Sequence, residues 1–150
     1  MVTAFDTEEK EAIAVADWIN ELLEEGFQPL EIGVIVRSDA QASRARAAIE
    51  LTGLKSMLLT GRGESQDDSI SISTMHLAKG LEFRAVVVMA CDDEVIPLQS
   101  RIESIADSGD LEEVYNTERH LLYVACTRAR DRLLVTAKSP SSEFLDDLNE

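Results

Sequence analysis

Residues 74–90 read TMHLAKGLEFRAVVVMA. The final part of this stretch, Ala85 to Ala90, is apolar throughout, with Val86, Val87 and Val88 in succession. A strand with one face in water alternates apolar and polar residues. An unbroken β-branched run instead suits a strand covered on both faces, as in a parallel sheet between helices. Ile32 to Val36 (IGVIV) is a second run of this kind. Two such strands, interleaved with helical patterns, predict a parallel α/β sheet.

The rest of the chain agrees. Val2 to Phe5 is a short β-prone start, and Asp6 with Glu9 has the spacing of a capping box. Ala12, Val15, Ala16, Ile19, Leu22 and Leu23 then form one helical stripe that Gly26 stops. Ser38 and Gln41 make another capping box before a helix lined by Ala42, Ala45 and Ile49 and ended by Gly53. Strands are expected at Ser56 to Thr60, Ile70 to Thr74 and Leu133 to Thr136, and a loop at Gly61 to Asp68. Pro97 to Asp110 reads as irregular, Glu112 to Ala129 as a long helix, and the chain after Ser139 as a short helix or tail. No repeat or linker interrupts the 150 residues, which predicts one domain.

Composition excludes several classes. A hydrophobic content of 45% argues against disorder in spite of a net charge of -15. No apolar run reaches the roughly 18 to 20 residues of a membrane span. The start, MVTAFDTEEKEA, lacks signal-peptide character. Cys91 and Cys126 form neither a disulfide framework nor a zinc motif, which fits a cytoplasmic setting. Residues 1–36 carry nine acids against Lys10 alone and read as a solvated helix face. Residues 37–62 reverse the sign, with five bases against Asp39 and Glu50. Such an acidic whole disfavours a broad grip on nucleic acid, but not a narrow one. There is no phosphate-binding GxxxxGK[ST] loop, no GxGxxG and no HExxH. The acids Asp92, Asp93 and Glu94 could take a magnesium ion, or simply be solvated turn residues.

Two segments carry chemistry. In TMHLAKGLEF, Thr74 and His76 could donate to phosphate oxygens, and Lys79 could act as a point charge. Gly80 allows close backbone approach, and Glu82 could accept from a sugar hydroxyl. The alternative is a polar crossover with Lys79 and Glu82 in water. In ERHLLYVACTRARDRLLV (Glu118 to Val135), helical geometry puts Arg128 on the apolar stripe of Leu121 and Ala125. A guanidinium there needs an anion or several acceptors. The alternatives are a structural pair with a carboxylate such as Glu118, or a solvated helix end.

These segments resemble a known family. TMHLAKGLEF is similar to motif V, and LLYVACTRARDRLLV to motif VI, of the UvrD/Rep family of superfamily-one DNA helicases. EIGVIVRSDAQASRARAAIE, from Glu31, is similar to its motif IV. The resemblance implies a three-layer RecA-like domain, mainly parallel in its sheet and flanked by helices. It would be the second motor domain of a helicase that clamps ATP with Mg2+ against an N-terminal RecA-like domain not present here. It implies that Arg37 and Arg128 converge as arginine fingers on the γ-phosphate. Glu82, Gly80 and Lys79 would lie beside the nucleotide, and Thr74 and His76 on single-stranded DNA. Residues 1–150 would form a single domain without the family's accessory insertion, because only about 20 residues separate Gly53 from Thr74. DDEVIP at Asp92 to Pro97 departs from the family's acidic-glycine-aromatic-proline pattern. The alternatives are a regulatory, non-catalytic module derived from such a motor, or part of a helicase-nuclease. One tension stands: in a simple βαβ unit a helix C-terminus lies at the sheet edge opposite the strand carboxyl ends. Geometry alone therefore separates Arg128 from Arg37, and only the resemblance joins them.

Overall fold

The structure, a computed structural model, describes residues 1–60, 68–105 and 108–148. Six strands form one sheet: β1 (Val2–Phe5), β2 (Ile32–Val36), β3 (Lys55–Leu58), β4 (Ser69–Thr74), β5 (Phe83–Val88) and β6 (Ala129–Lys138). Their spatial order is β1-β6-β5-β2-β4-β3, and every pairing is parallel. Five helices connect them: α1 (Glu8–Glu24), α2 (Ala42–Glu50), α3 (Met75–Ala78), α4 (Gln99–Glu103) and α5 (Ser108–Cys126).

The apolar runs are continuous because the sheet has two cores. On one face, Val34 and Val36 of β2 and Ala85 and Val87 of β5 pack with Val15, Ile19 and Leu22 of α1 and Ala45 and Ile49 of α2. On the other, Ile35, Val86 and Val88 pack with Met75 of α3, Leu122 and Ala125 of α5, and Phe144. Successive residues of β2 and of β5 thus enter opposite cores, which is why these runs are apolar throughout. The result is the expected three-layer α/β arrangement.

Local details correct several boundaries. Thr7, not Asp6, caps α1, its hydroxyl accepting from the Lys10 N–H at 3.0 Å. The box of Ser38 and Gln41 is present, but it opens a 3-10 turn (Asp39–Gln41) that leads into α2. The segment expected to be irregular contains α4. The long helix ends at Cys126 rather than Ala129, and β6 starts at Ala129 instead of Leu133. Arg128 therefore stands in the turn between α5 and β6, not on a helical stripe. The tail folds as a 3-10 segment, Glu143–Leu148, with Phe144 buried against Tyr115 of α5. The loop expected over 61–68 lies, apart from Asp68, outside the described residues.

Candidate functional site

Parallel strands give the sheet two distinct edges, and the sequence motifs divide between them. At the amino edge, the turns before β5 and β6 are clasped together. The Phe83 N–H donates to the Arg128 carbonyl at 3.0 Å, and Arg128 Nη1 donates back to the Leu81 carbonyl at 3.3 Å. Phe83 is in register with Ala129. Glu82 lies in sequence between Leu81 and Phe83, the two residues bonded to Arg128. Arg128 Nε also donates to the Val124 carbonyl at 3.0 Å, tying off the last turn of α5, and Nη2 donates to Thr127 Oγ1 at 3.0 Å. All these acceptors are uncharged. Among the described residues, every other arginine except Arg46 has a carboxylate within ion-pair distance. Glu118 is not a partner of Arg128.

Glu82 is exposed and faces Arg130, Oε1 to Nη1, at 3.7 Å. Lys79 is exposed at the end of α3. Gly80 has φ +89°, with open space where a Cβ would project. The chain must reverse there to pass from a four-residue helix into β5, and that backbone favours glycine. The short crossover from Thr74 to Phe83 is possible because α3 is a single turn, with Met75 and Ala78 buried.

At the carboxyl edge, Thr74 ends β4 and caps α3, accepting from the Leu77 N–H at 3.4 Å. His76 is exposed on α3. Val36 is in register with Thr74, which puts Arg37 at this same edge. Arg37 is buried and closed into a fork with Glu118 of α5: Nε to Oε1 at 2.9 Å and Nη2 to Oε2 at 2.7 Å. The same carboxylate accepts from the Leu98 N–H at 2.8 Å and from Arg101 Nη1 at 2.8 Å. Burial pushes the Glu118 carboxyl up. The bonds from Arg37, Leu98 and Arg101 outweigh it and hold the group below the ordinary carboxylate range.

The expected meeting of Arg37 and Arg128 does not occur. Arg37 follows a strand, whereas Arg128 precedes one. Glu118, which holds Arg37, lies eight residues and about 12 Å of helix before Cys126. Thr74 and His76 share the carboxyl edge with Arg37, Glu82 and Arg128 lie at the amino edge, and Lys79 and Gly80 stand in the crossover between the two.

A second buried network stands at the carboxyl edge. Glu11 of α1, fully buried, pairs with Arg44 of α2 and accepts from the Ala90 N–H at 2.9 Å and the Thr136 hydroxyl at 2.7 Å. Arg44 Nη1 donates to Asp92 Oδ2 at 2.7 Å, and the Lys138 N–H donates to Asp92 Oδ1 at 2.7 Å. Asp92 is thus consumed by the fold, and Asp93 and Glu94 are exposed turn residues. Among the described residues, no group of three or more His, Cys, Asp or Glu could hold a metal. Glu11 departs from the solvated acidic face expected of α1. Sequence reasoning missed the burial of Glu11 and offered Glu118 only as a partner for Arg128, although a signal existed. Glu11 lies four residues before Val15, and Glu118 lies four before Leu122 and seven before Ala125, so each shares the periodicity of a buried stripe.

With this geometry in hand, the sequence model of the UvrD-like helicase C-terminal domain family matches residues 43–140, which include both motif segments of the two edges. The chain belongs to that family. Arg37 lies outside the matched span. Within the family, ATP-dependent DNA helicase Rep of Salmonella typhimurium is 36% identical over 83 residues, 55% of this chain and 11% of that protein. DNA helicase II of Escherichia coli is 37% identical over 76 residues, 51% of this chain and 10% of that protein. ATP-dependent DNA helicase PcrA of Staphylococcus aureus is 39% identical over 70 residues, 47% of this chain and 9% of that protein. The matched segments thus span about a tenth of each relative. Among solved structures, the C-terminal domain of a possible DNA helicase from Lactobacillus plantarum has the same fold. Its TM-score is 0.64 at 22% identity, covering 96% of this chain and 76% of that one. No helix among the described residues is long and apolar enough to cross a membrane.

Proposed function

We propose that this chain is the C-terminal motor domain of a longer, cytoplasmic, ATP-dependent DNA helicase or translocase. In this reading residues 1–150 form one domain without an accessory insertion. ATP with Mg2+ is held mainly by the N-terminal RecA-like domain of the same parent chain, and that domain docks against the amino edge of this sheet. Arg128 supplies the finger. The observation that supports it best is its charge balance: a guanidinium carries five N–H donors, and those of Arg128 that are engaged meet only neutral oxygens. Its full charge and further donors on Nη1 and Nη2 are left for an anion. Its bonds to Val124 and Leu81 hold the fork in place before any ligand arrives, which is what a preorganised electrostatic contact requires.

Hydrolysis of the γ-phosphate spreads negative charge over its oxygens, and a fixed arginine stabilises that charge. Fingers of this kind raise rates by about 10³ to 10⁵, equivalent to roughly 4 to 7 kcal/mol. Glu82, Gly80 and Lys79 complete the nucleotide-facing turn. Thr74 and His76 contact the backbone of single-stranded DNA from the opposite edge. Arg37 is assigned a different role from the one implied by the resemblance: it is an internal support locked to Glu118. Helix α5 then runs from the DNA-facing edge to the finger, so that closing and opening around the nucleotide moves the strand grip with it.

The test is Arg128→Ala in the full-length parent. DNA-stimulated ATP hydrolysis should fall by about 10³ or more, with the melting temperature nearly unchanged. Arg128→Lys should not restore it, because an ammonium does not reproduce the planar fork. Unchanged turnover in either variant would refute the finger. The isolated chain should hydrolyse no ATP.

A further inference from the structure

We infer that Arg101 is a further contact for the phosphodiester backbone of single-stranded DNA, beside Thr74 and His76. The inference rests on the DNA reading of that edge proposed above. It starts from a charge imbalance: Glu118, one carboxylate, is held by two guanidiniums, so the cluster retains one positive charge. Arg37 and Glu118 have side chains 4% and 0% exposed, and they neutralise one another through a bidentate fork. Arg101, 37% exposed in its side chain, reaches Glu118 through Nη1 alone. The surplus charge therefore sits on the one member of the cluster that water, or a ligand, can reach.

Its position is fixed to the proposed DNA edge by the same contacts. Glu118 binds Arg37, which directly follows Val36, and Val36 is in register with Thr74. Glu118 also binds the Leu98 N–H, the residue from which α4 begins, so the helix carrying Arg101 is pinned to that edge. The half-buried Arg44 at this edge is surrounded by Glu8, Glu11 and Asp92 and offers no surplus. Glu118 acts as the positioning residue: it takes one N–H of Arg101 and leaves the rest of the fork for a phosphate oxygen. The exposed acids of this region, Asp93, Glu94 and Glu103, oppose an anion at long range. At physiological salt their effect is screened beyond about 8 Å, so a narrow contact survives on an acidic protein.

The test titrates fluorescein-labelled (dT)12 with the 150-residue chain and follows anisotropy from about 20 to 150 mM NaCl, a range over which counterion release makes affinity strongly salt-dependent. Wild type, Arg101→Ala, Arg101→Lys and His76→Ala are compared, with melting curves for each. Arg101→Ala should weaken binding several-fold at low salt. It should also flatten the slope of log K against log[salt] by about 0.7, the value for one lost phosphate contact on a single strand. Arg101→Lys should keep the wild-type slope, and His76→Ala should weaken binding without flattening it. If Arg101→Ala binds like wild type while His76→Ala is impaired, the DNA reading stands and the Arg101 contact is overturned. If both Arg101 variants lose affinity equally with the slope unchanged, Arg101 is only a prop for Glu118, and the inference is overturned. If wild type does not bind at all at the lowest salt, both fall.

Discussion

Arg37 and Arg128 occupy the two edges of one sheet, and their surroundings could hardly differ more. Arg37, at the carboxyl edge, is 3% exposed and clasped by both oxygens of Glu118. Arg128, at the amino edge, is half-buried and held only by two carbonyls and a hydroxyl. Both networks fix a guanidinium in a single orientation. Only the second leaves the charge uncompensated. The difference teaches that an arginine in a motif earns a ligand role from what the fold leaves unpaired around it. Residue type and spacing alone do not decide.

Four substitutions break or sharpen this contrast. The largest effect belongs to Arg128→Ala, read as the loss of turnover described above with stability preserved. Arg37→Ala should behave in the opposite way. It leaves a buried carboxylate with only Arg101 and one N–H, and breaking a buried pair costs about 3 to 5 kcal/mol. Chemical denaturation should reveal that loss. A melting temperature equal to wild type would show that Arg37 is not a support.

Acid should report on the same clamp. The Glu118 carboxyl titrates below its ordinary 4.5 in the folded chain, so the folded state binds its proton later than the unfolded one. Its contribution is complete above about 4.5 and fades as the pH falls through the lower folded value. The stability gap between wild type and Glu118→Gln should therefore narrow between pH 5 and pH 3. A gap that stays constant over this interval would contradict the assignment.

A smaller loss of stability than that of Arg37→Ala is expected at the amino edge. A Cβ on Gly33 would stand 2.6 Å from Phe83 Cδ2, and Phe83 is the residue whose N–H binds the Arg128 carbonyl. Gly33→Ala should cost about 1 to 3 kcal/mol, the usual range for overpacking. It should also disturb the Arg128 clasp while leaving that of Arg37 intact. Amide shifts confined to the carboxyl edge would refute this coupling.

Much of the fold was legible because it depends on local pattern. The apolar run Ile32–Val36 matches the limits of β2, the stripe from Ala12 to Leu22 is buried as expected, and Gly26 closes α1 with φ +102°. The errors lie where tertiary contacts decide. The spacing of Arg128 from Leu121 and Ala125 predicts a helix, but β6 pairs with β5 from Ala129 onward and ends the helix first. Local spacing offers Glu118 as a partner for Arg128, ten residues away on its own segment, whereas its observed partner, Arg37, is 81 residues distant. The rule that a helix ends opposite the strand carboxyl ends already separated the two arginines, and the fold follows that rule rather than the convergence implied by resemblance.

By itself, the amino-acid order determined a parallel sheet with helices on both faces, and it carried the motif residues that mark the family. Periodicity and β-branched runs are properties of neighbouring residues, and they need no knowledge of the distant chain. Which charges are neutralised inside the molecule and which remain available was decided only by tertiary structure. Ion pairing depends on distances of a few ångströms between groups far apart in sequence, and no local pattern specifies those distances.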